Sequence, residues 1–144
     1  MGKVESSVII ARPVEDVYRH FLDLDQNATD PDTQSVDKEP PGPTEPGTLF
    51  RFHHGKGRET TMRFVSLEPE RRIVIEGDVG PAKPTGDILF EAVDGGTKLS
   101  VRLDPNPVGP LKLIPPLAGM IGQRIWDKRL VRIKAALEGK PRVP

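Results

Sequence analysis

The sequence predicts an α+β domain in which one antiparallel sheet packs against a long C-terminal helix. Three observations predict it. Strand-like runs follow one another between Thr48 and Asp104 with no room for a helix between them. A further strand-like run and a short helical pattern precede them. A single apolar stripe at helical spacing ends the chain. With 144 residues the chain suits one domain over 1–144, its core over about 3–139. A domain of this size buries roughly 70% of the surface its unfolded chain exposes.

Taken in order, Lys3–Ala11 is rich in β-branched residues, with Val4, Val8 and Ile10 on one parity, and reads as a strand. Pro13 then opens a helix of about ten residues, since proline is tolerated where the backbone N–H would be unpaired anyway. Glu15 and Asp16 suit the positive end of its dipole, and Val14, Val17 and Phe21, with Tyr18 beside them, recur at helical spacing. "DLDQNATDPD" is polar and turn-rich and allows at most one more helical turn. Prolines crowd "PPGPTEP" and again Pro105–Pro116, where they read as rigid connections.

Five strand-like runs come next: "TLFRFHH", "RETTMRFVSLE", "RRIVIEGDV", "TGDILFEAV" and "TKLSVRLD". Short glycine, proline and acidic linkers separate them, as antiparallel hairpins require, while parallel pairing would need long crossovers. Asp94-Gly95-Gly96 supplies the positive φ angles of a tight turn. "MRFVSL" carries apolar residues on both parities, which a bulge near Phe64 would reconcile. The closing helix starts near Leu111 or Pro116 and runs to Glu138. Trp126, Leu130, Ile133 and Leu137 form its stripe, and Gly139 and Pro141 stop it.

Composition removes several function classes. The 21 basic and 21 acidic residues cancel, and basic strips with interleaved aromatics are absent, so no nucleic-acid partner is expected. The charge is nonetheless uneven: the chain up to Pro46 is acid-rich and Gln123–Arg142 is base-rich. A basic helix complementing its own dipole is one reading, contact with anionic lipid the other. No cysteine is present, which excludes disulfides and thiol chemistry and fits a reducing, cytoplasmic setting. The apolar run Val108–Gly122 is shorter than the ~20 residues of a spanning helix, so no stable membrane insertion is expected. Glycine-rich nucleotide loops are missing and the three histidines lack ligand spacing, so neither a metal nor another cofactor is called for.

"ARPVEDVYRHFLDL", "PGTLFRF", "ETTMRFVSLEPERRIVIEG" and "DILFEAVDGGTKLSV" resemble, in order, segments of the START/Bet v 1-like (SRPBCC) superfamily, in its polyketide cyclase/dehydratase-like branch. The resemblance spans nearly the whole chain. It implies a helix-grip fold: a curved antiparallel sheet of about six to seven strands wrapped around the C-terminal helix, with one or two short helices after the first strand. It also implies a cavity between sheet and helix for a lipid- or polyketide-like molecule. The chain departs from the pattern in one place: relatives often carry a tryptophan after the first helix, where "QNATDPDTQSV" has no aromatic.

Strand alternation then selects the residues that face inward. In "TLFRFHH" the parity of Phe50, Phe52 and His54 turns toward the cavity and that of Leu49, Arg51 and His53 toward solvent. The expected ligand cavity comprises Phe50, Phe52, His54, Met62, Phe64, Ile75, Ile88, Phe90 and Val101 from the sheet, with Gly119, Gly122, Trp126 and Leu130 from the helix. Plain core packing is the alternative for each. Gly119 and Gly122, each costing roughly 1 kcal/mol in a helix, mark either a close approach to the sheet or space at the cavity mouth.

Two functions follow. A carrier or sensor needs only a dry cavity with a few polar anchors, such as His54 and Tyr18, or Arg51 if the facing of that strand is reversed. A cyclase, aromatase or dehydratase needs a general base, for which His54 is the candidate, with Tyr18 a weak candidate acid. His54 could equally be a hydrogen-bonded strand-end residue with no chemical role. The expected partner is an apolar small molecule, and the expected state a monomer or homodimer.

Overall fold

The structure, a computed structural model, describes residues 3–27, 31–110 and 115–139, with side chains from 119 onward in the last segment. The chain runs β1 (Val4–Ile10), α1 (Val14–Leu22), α2 (Leu24–Asn27), β2 (Thr33–Glu39), β3 (Leu49–His54), a 3-10 turn (Gly55–Gly57), β4 (Glu59–Glu68), β5 (Arg72–Asp78), β6 (Thr85–Val93), β7 (Gly96–Asp104) and α3 (Pro115–Glu138). The seven strands form one antiparallel sheet in the order β1-β7-β6-β5-β4-β3-β2.

From β2 to β7 each strand pairs with the next in sequence, and from β3 on the short linkers require it. Val93 faces Gly96 across Asp94 and Gly95, and Gly95 has φ 82°. The expected bulge lies in β4 between Phe64 and Ser66. It moves Leu67 onto the face of Phe64 and turns Val65 to solvent. α2 is the single extra turn that "DLDQNATDPD" allows, and it turns Leu24 inward.

The strand that the runs omit is β2. It has one apolar residue, Val36, and pairs only with β3, at the sheet's edge. Its outward face is held by charge instead of by packing. Arg51 of β3 donates to Glu39 at 2.9 Å and to Glu59 of β4 at 3.2 Å, tying three neighbouring strands on the solvent side.

The inward face carries Phe64, Ile73, Ile75, Ile88, Phe90, Leu99, Val101 and Leu103, all buried, with Met62 packed against them. α1 sets Val17, Tyr18 and Phe21 onto this face. The Tyr18 and Phe21 rings meet Phe90 edge-on at 5.3 and 5.7 Å, a favourable quadrupole geometry. α3 lays its stripe Trp126, Leu130, Ile133 and Leu137 on the same core.

A second stripe of α3 does different work. β1 forms one edge of the sheet, so alternate peptide groups there lack a strand partner. Gln123 accepts from Glu5 N–H at 3.1 Å and donates to Glu5 C=O at 2.6 Å. Lys134 donates to Ile9 C=O at 2.7 Å, and Glu138 accepts from Ala11 N–H at 2.8 Å. Asp127 accepts from the Ser6 hydroxyl at 2.6 Å. The helix therefore caps the open edge with side chains and fixes its own orientation along the sheet.

Candidate functional site

Between the sheet and α3 lies a cavity of about 520 Å³. It is bordered from the end of the sheet where β3, β5 and β7 finish and β4 and β6 begin. Six of the expected residues border it: Phe52, His54, Met62, Ile75, Gly122 and Trp126.

Seven do not: Phe50, Phe64, Ile88, Phe90, Val101, Gly119 and Leu130 fall outside its wall. All seven are buried. Phe50 and Phe64 are fully buried against each other, ring centres 5.1 Å apart. Ile88 and Val101 stand opposite one another on β6 and β7 with no exposed surface. Phe90 is covered by α1, Leu130 is buried in the helix's main stripe, and Gly119 is buried near its start. Parity selects the face, but it does not say where along the face the covering helix lifts away.

Tyr18 is also outside the wall. Its hydroxyl is pushed up in pKa by burial and then by the Glu70 carboxylate in the β4–β5 turn, which makes it a poorer acid. Arg51 lies on the outer face in its ion pairs with Glu39 and Glu59.

His53 and His54 diverge as alternation requires. His53 is part-exposed, with Nε2 2.8 Å from Asp37 of β2. His54 is 6% exposed. Its Nε2 lies 2.8 Å from Thr60 Oγ1, and its Nδ1 lies 3.4 Å from Thr33 Oγ1 and 3.9 Å from Asp32. The turn after β3 brings these groups together. Gly55 N–H donates to Asp32 C=O, and Lys56 takes φ 62° to close the turn. Arg58 donates to Asp32 at 2.7 Å, and that hydrogen bond, against some desolvation, holds the Asp32 carboxyl below its ordinary pKa. Among the described residues no group of three His, Cys, Asp or Glu side chains converges as a metal site would need.

The sequence reading missed other parts of the wall. α1 and α2 contribute His20, Phe21, Leu24 and Asn27, and β4 contributes Thr60 and Thr61. The connection from β5 to β6 adds Val79, Pro81, Ala82 and Pro84. α3 adds Ile121, Ile125, Lys128, Arg129, Arg132 and Ile133. Ile121, Ile125, Lys128 and Arg132 fall at i, i+4, i+7 and i+11, so a second helical stripe was there to be found. Gly122 answers to both of its readings. It borders the cavity, and a Cβ there would stand 2.8 Å from Val4 Cγ2 of β1. Of the apolar run Val108–Gly122, Ile121 and Gly122 border the cavity, and 111–114 lie outside the described residues.

A curved antiparallel sheet gripping a C-terminal helix, with short helices after the first strand and a cavity between, defines a Bet v 1-like helix-grip protein. Over residues 1–138 the chain belongs to the family described as polyketide cyclase / dehydrase and lipid transport. Solved structures agree on the fold. The allergen Ara h 8.0201 is 17% identical with a TM-score of 0.77, covering 96% of this chain and 98% of that one. StfQ, a di-domain ARO/CYC protein of the steffimycin biosynthetic pathway, is 17% identical with a TM-score of 0.75. The match covers 96% of this chain and 49% of StfQ. Protein CV1439 from Chromobacterium violaceum is 20% identical with a TM-score of 0.68, covering 95% and 97%. No curated protein matches. Among the described residues no helix is long and apolar enough to cross a membrane.

Proposed function

We propose that the protein binds an apolar small molecule, lipid- or polyketide-like, as a carrier or sensor. The observation that carries this reading is the cavity itself: about 520 Å³, within the range of roughly 300–1,000 Å³ typical of small-molecule sites. Its wall is mainly apolar, with Phe21, Leu24, Met62, Ile75, Leu103 and Trp126 among its members. Among its polar members His54, Thr33 and Thr60 lie within reach of one another, the kind of polar cluster that orients a ligand. The test is binding of the neutral dye Nile red, together with native mass spectrometry of the purified protein. A blue-shifted, saturable dye signal that Met62→Trp diminishes is expected. A wild-type protein that neither takes up the dye nor carries a small molecule would defeat the reading.

His54 favours a second reading, a cyclase- or dehydratase-type enzyme with this residue as general base. It borders the cavity, and a carboxylate lies 3.9 Å from its Nδ1. Against it, Tyr18 lies outside the wall and gives no acid partner. Turnover of a poly-β-ketone mimic that His54→Gln abolishes, with dye binding retained, would favour the enzyme.

A further inference from the structure

The charge of the cavity wall is as informative as its hydrophobicity. The chain holds equal numbers of acids and bases, 21 of each. The described wall takes Arg58, Lys128, Arg129 and Arg132, and neither an Asp nor a Glu. An uncharged ligand gives no reason for that selection.

The cations are also ordered in space. Along the part of α3 that borders the cavity, Ile121, Gly122, Ile125 and Trp126 come first, and Lys128, Arg129 and Arg132 follow, with Ile133 last. At about 1.5 Å of rise per residue, Ile121 and Arg132 stand roughly 16 Å apart along the helix axis. Three of the wall's four cations thus fall on the later part of α3's cavity-facing stretch, beyond Ile121 and Ile125. Ile121 and Ile125 are each 46% exposed while bordering the cavity, which is apolar surface that a bound chain would cover.

The state of each cation matters too. Arg58 is engaged with Asp32 at 2.7 Å. The Arg129 guanidinium lies 4.6 Å from the centre of the Trp126 ring, a cation–π arrangement that holds it at the wall. Elsewhere Arg19, Lys38, Arg51, Arg72 and Lys134 each pair with a carboxylate, while among the described residues no carboxylate pairs with Arg63, Lys98 or Arg102 on the sheet. Among the described residues no carboxylate pairs with Lys128 or Arg132, and both border the cavity.

From this we infer that the occupant is an amphiphile with one anionic head, a carboxylate or a phosphate. The head lies against Lys128 and Arg132, and the chain runs toward Ile121 and Trp126. The inference rests on the cavity being a ligand site. Guanidinium groups donate two parallel hydrogen bonds to a carboxylate or phosphate, and an ammonium adds a point charge. Cations on an open cavity rim also speed the capture of an anionic ligand, an effect that salt screens.

The test uses three probes with the same chain, each displacing Nile red: dodecanoate and dodecyl phosphate below their micelle concentrations, and dodecanol below its solubility limit. At least one anion is expected to bind about tenfold or more tightly than dodecanol, a difference of about 1.4 kcal/mol. That preference should shrink with added salt. The ratio between the two anions tells a carboxylate site from a phosphate site. Lys128→Gln with Arg132→Gln should bring the preferred anion down toward the affinity of dodecanol. Lys98→Gln, on the exposed face of β7, should leave the preference in place. If dodecanol binds as tightly as both anions, the anionic head is refuted while the apolar cavity stands. If Nile red itself does not bind, the cavity reading falls and this inference with it.

Discussion

His53 and His54 differ by one residue and by one face of the sheet, and that difference decides what each can do. His53 pairs with Asp37 at the surface, where an ion pair contributes on the order of 0–1 kcal/mol. His54 is buried and bonded to Thr60, so removing it leaves a polar partner in the wall. An unsatisfied group of that kind costs about 1–3 kcal/mol. Urea unfolding should therefore show His54→Ala destabilised by that amount and His53→Ala by under about 1 kcal/mol. Equal losses would mean that the two side chains share one environment. The facing of both residues was legible from alternation. The residues around His54 were not, because Asp32 and Thr33 reach it through β2 and the turn after β3, and β2 carries almost no hydrophobic signal.

The same contrast governs whole elements. Helix α3 could be read because an apolar stripe that must be buried leaves a period in the sequence. The bulge in β4 could be read because apolar residues on two parities conflict on a regular strand. β2 could not, since it is an edge strand held by β3's peptide groups and by ions such as Arg51–Glu39. The seam between α3 and β1 was equally silent: Gln123, Asp127, Lys134 and Glu138 look like any solvated helix face until the open edge of β1 is set beside them. This seam yields a pH prediction. The Glu138 carboxyl sits below its ordinary pKa, chiefly through the hydrogen bond from Lys134 and then that from Ala11 N–H. A carboxyl lowered in the folded state stabilises above its unfolded pKa of about 4.3, and that contribution is lost as pH falls through the folded value. Glu138→Gln should lower the melting temperature at pH 7 and narrow its difference from wild type as the pH drops below about 4. A difference between the two that stays constant over that range would mean that the carboxylate charge does nothing for the seam.

Across the whole molecule the apolar groups divide into two populations that binary patterning does not separate. One half of the inward face, built on Phe50, Phe64, Ile88 and Val101 and closed by α1 and Leu130, is packed solid. The other half, with Phe52, Met62, Ile75 and Trp126, faces the cavity. Solid packing at one end is what lets the other stay hollow, since a small domain keeps only about 5–15 kcal/mol of net stability. The two halves should respond oppositely to mutation. Phe64→Ala opens a hole in close-packed core and should cost about 3–5 kcal/mol in denaturant unfolding. Met62→Phe adds volume into existing space, so the overpacking penalty of about 1–3 kcal/mol that a filled core would charge should not appear. Its effect should fall on Nile red affinity instead. A bound apolar probe at about a hundred times its dissociation constant should stabilise wild type by about 2.7 kcal/mol and Met62→Phe by clearly less. Should Met62→Phe unfold the chain as readily as Phe64→Ala, the space beside Met62 is filled by the protein itself and the hollow half does not exist in solution.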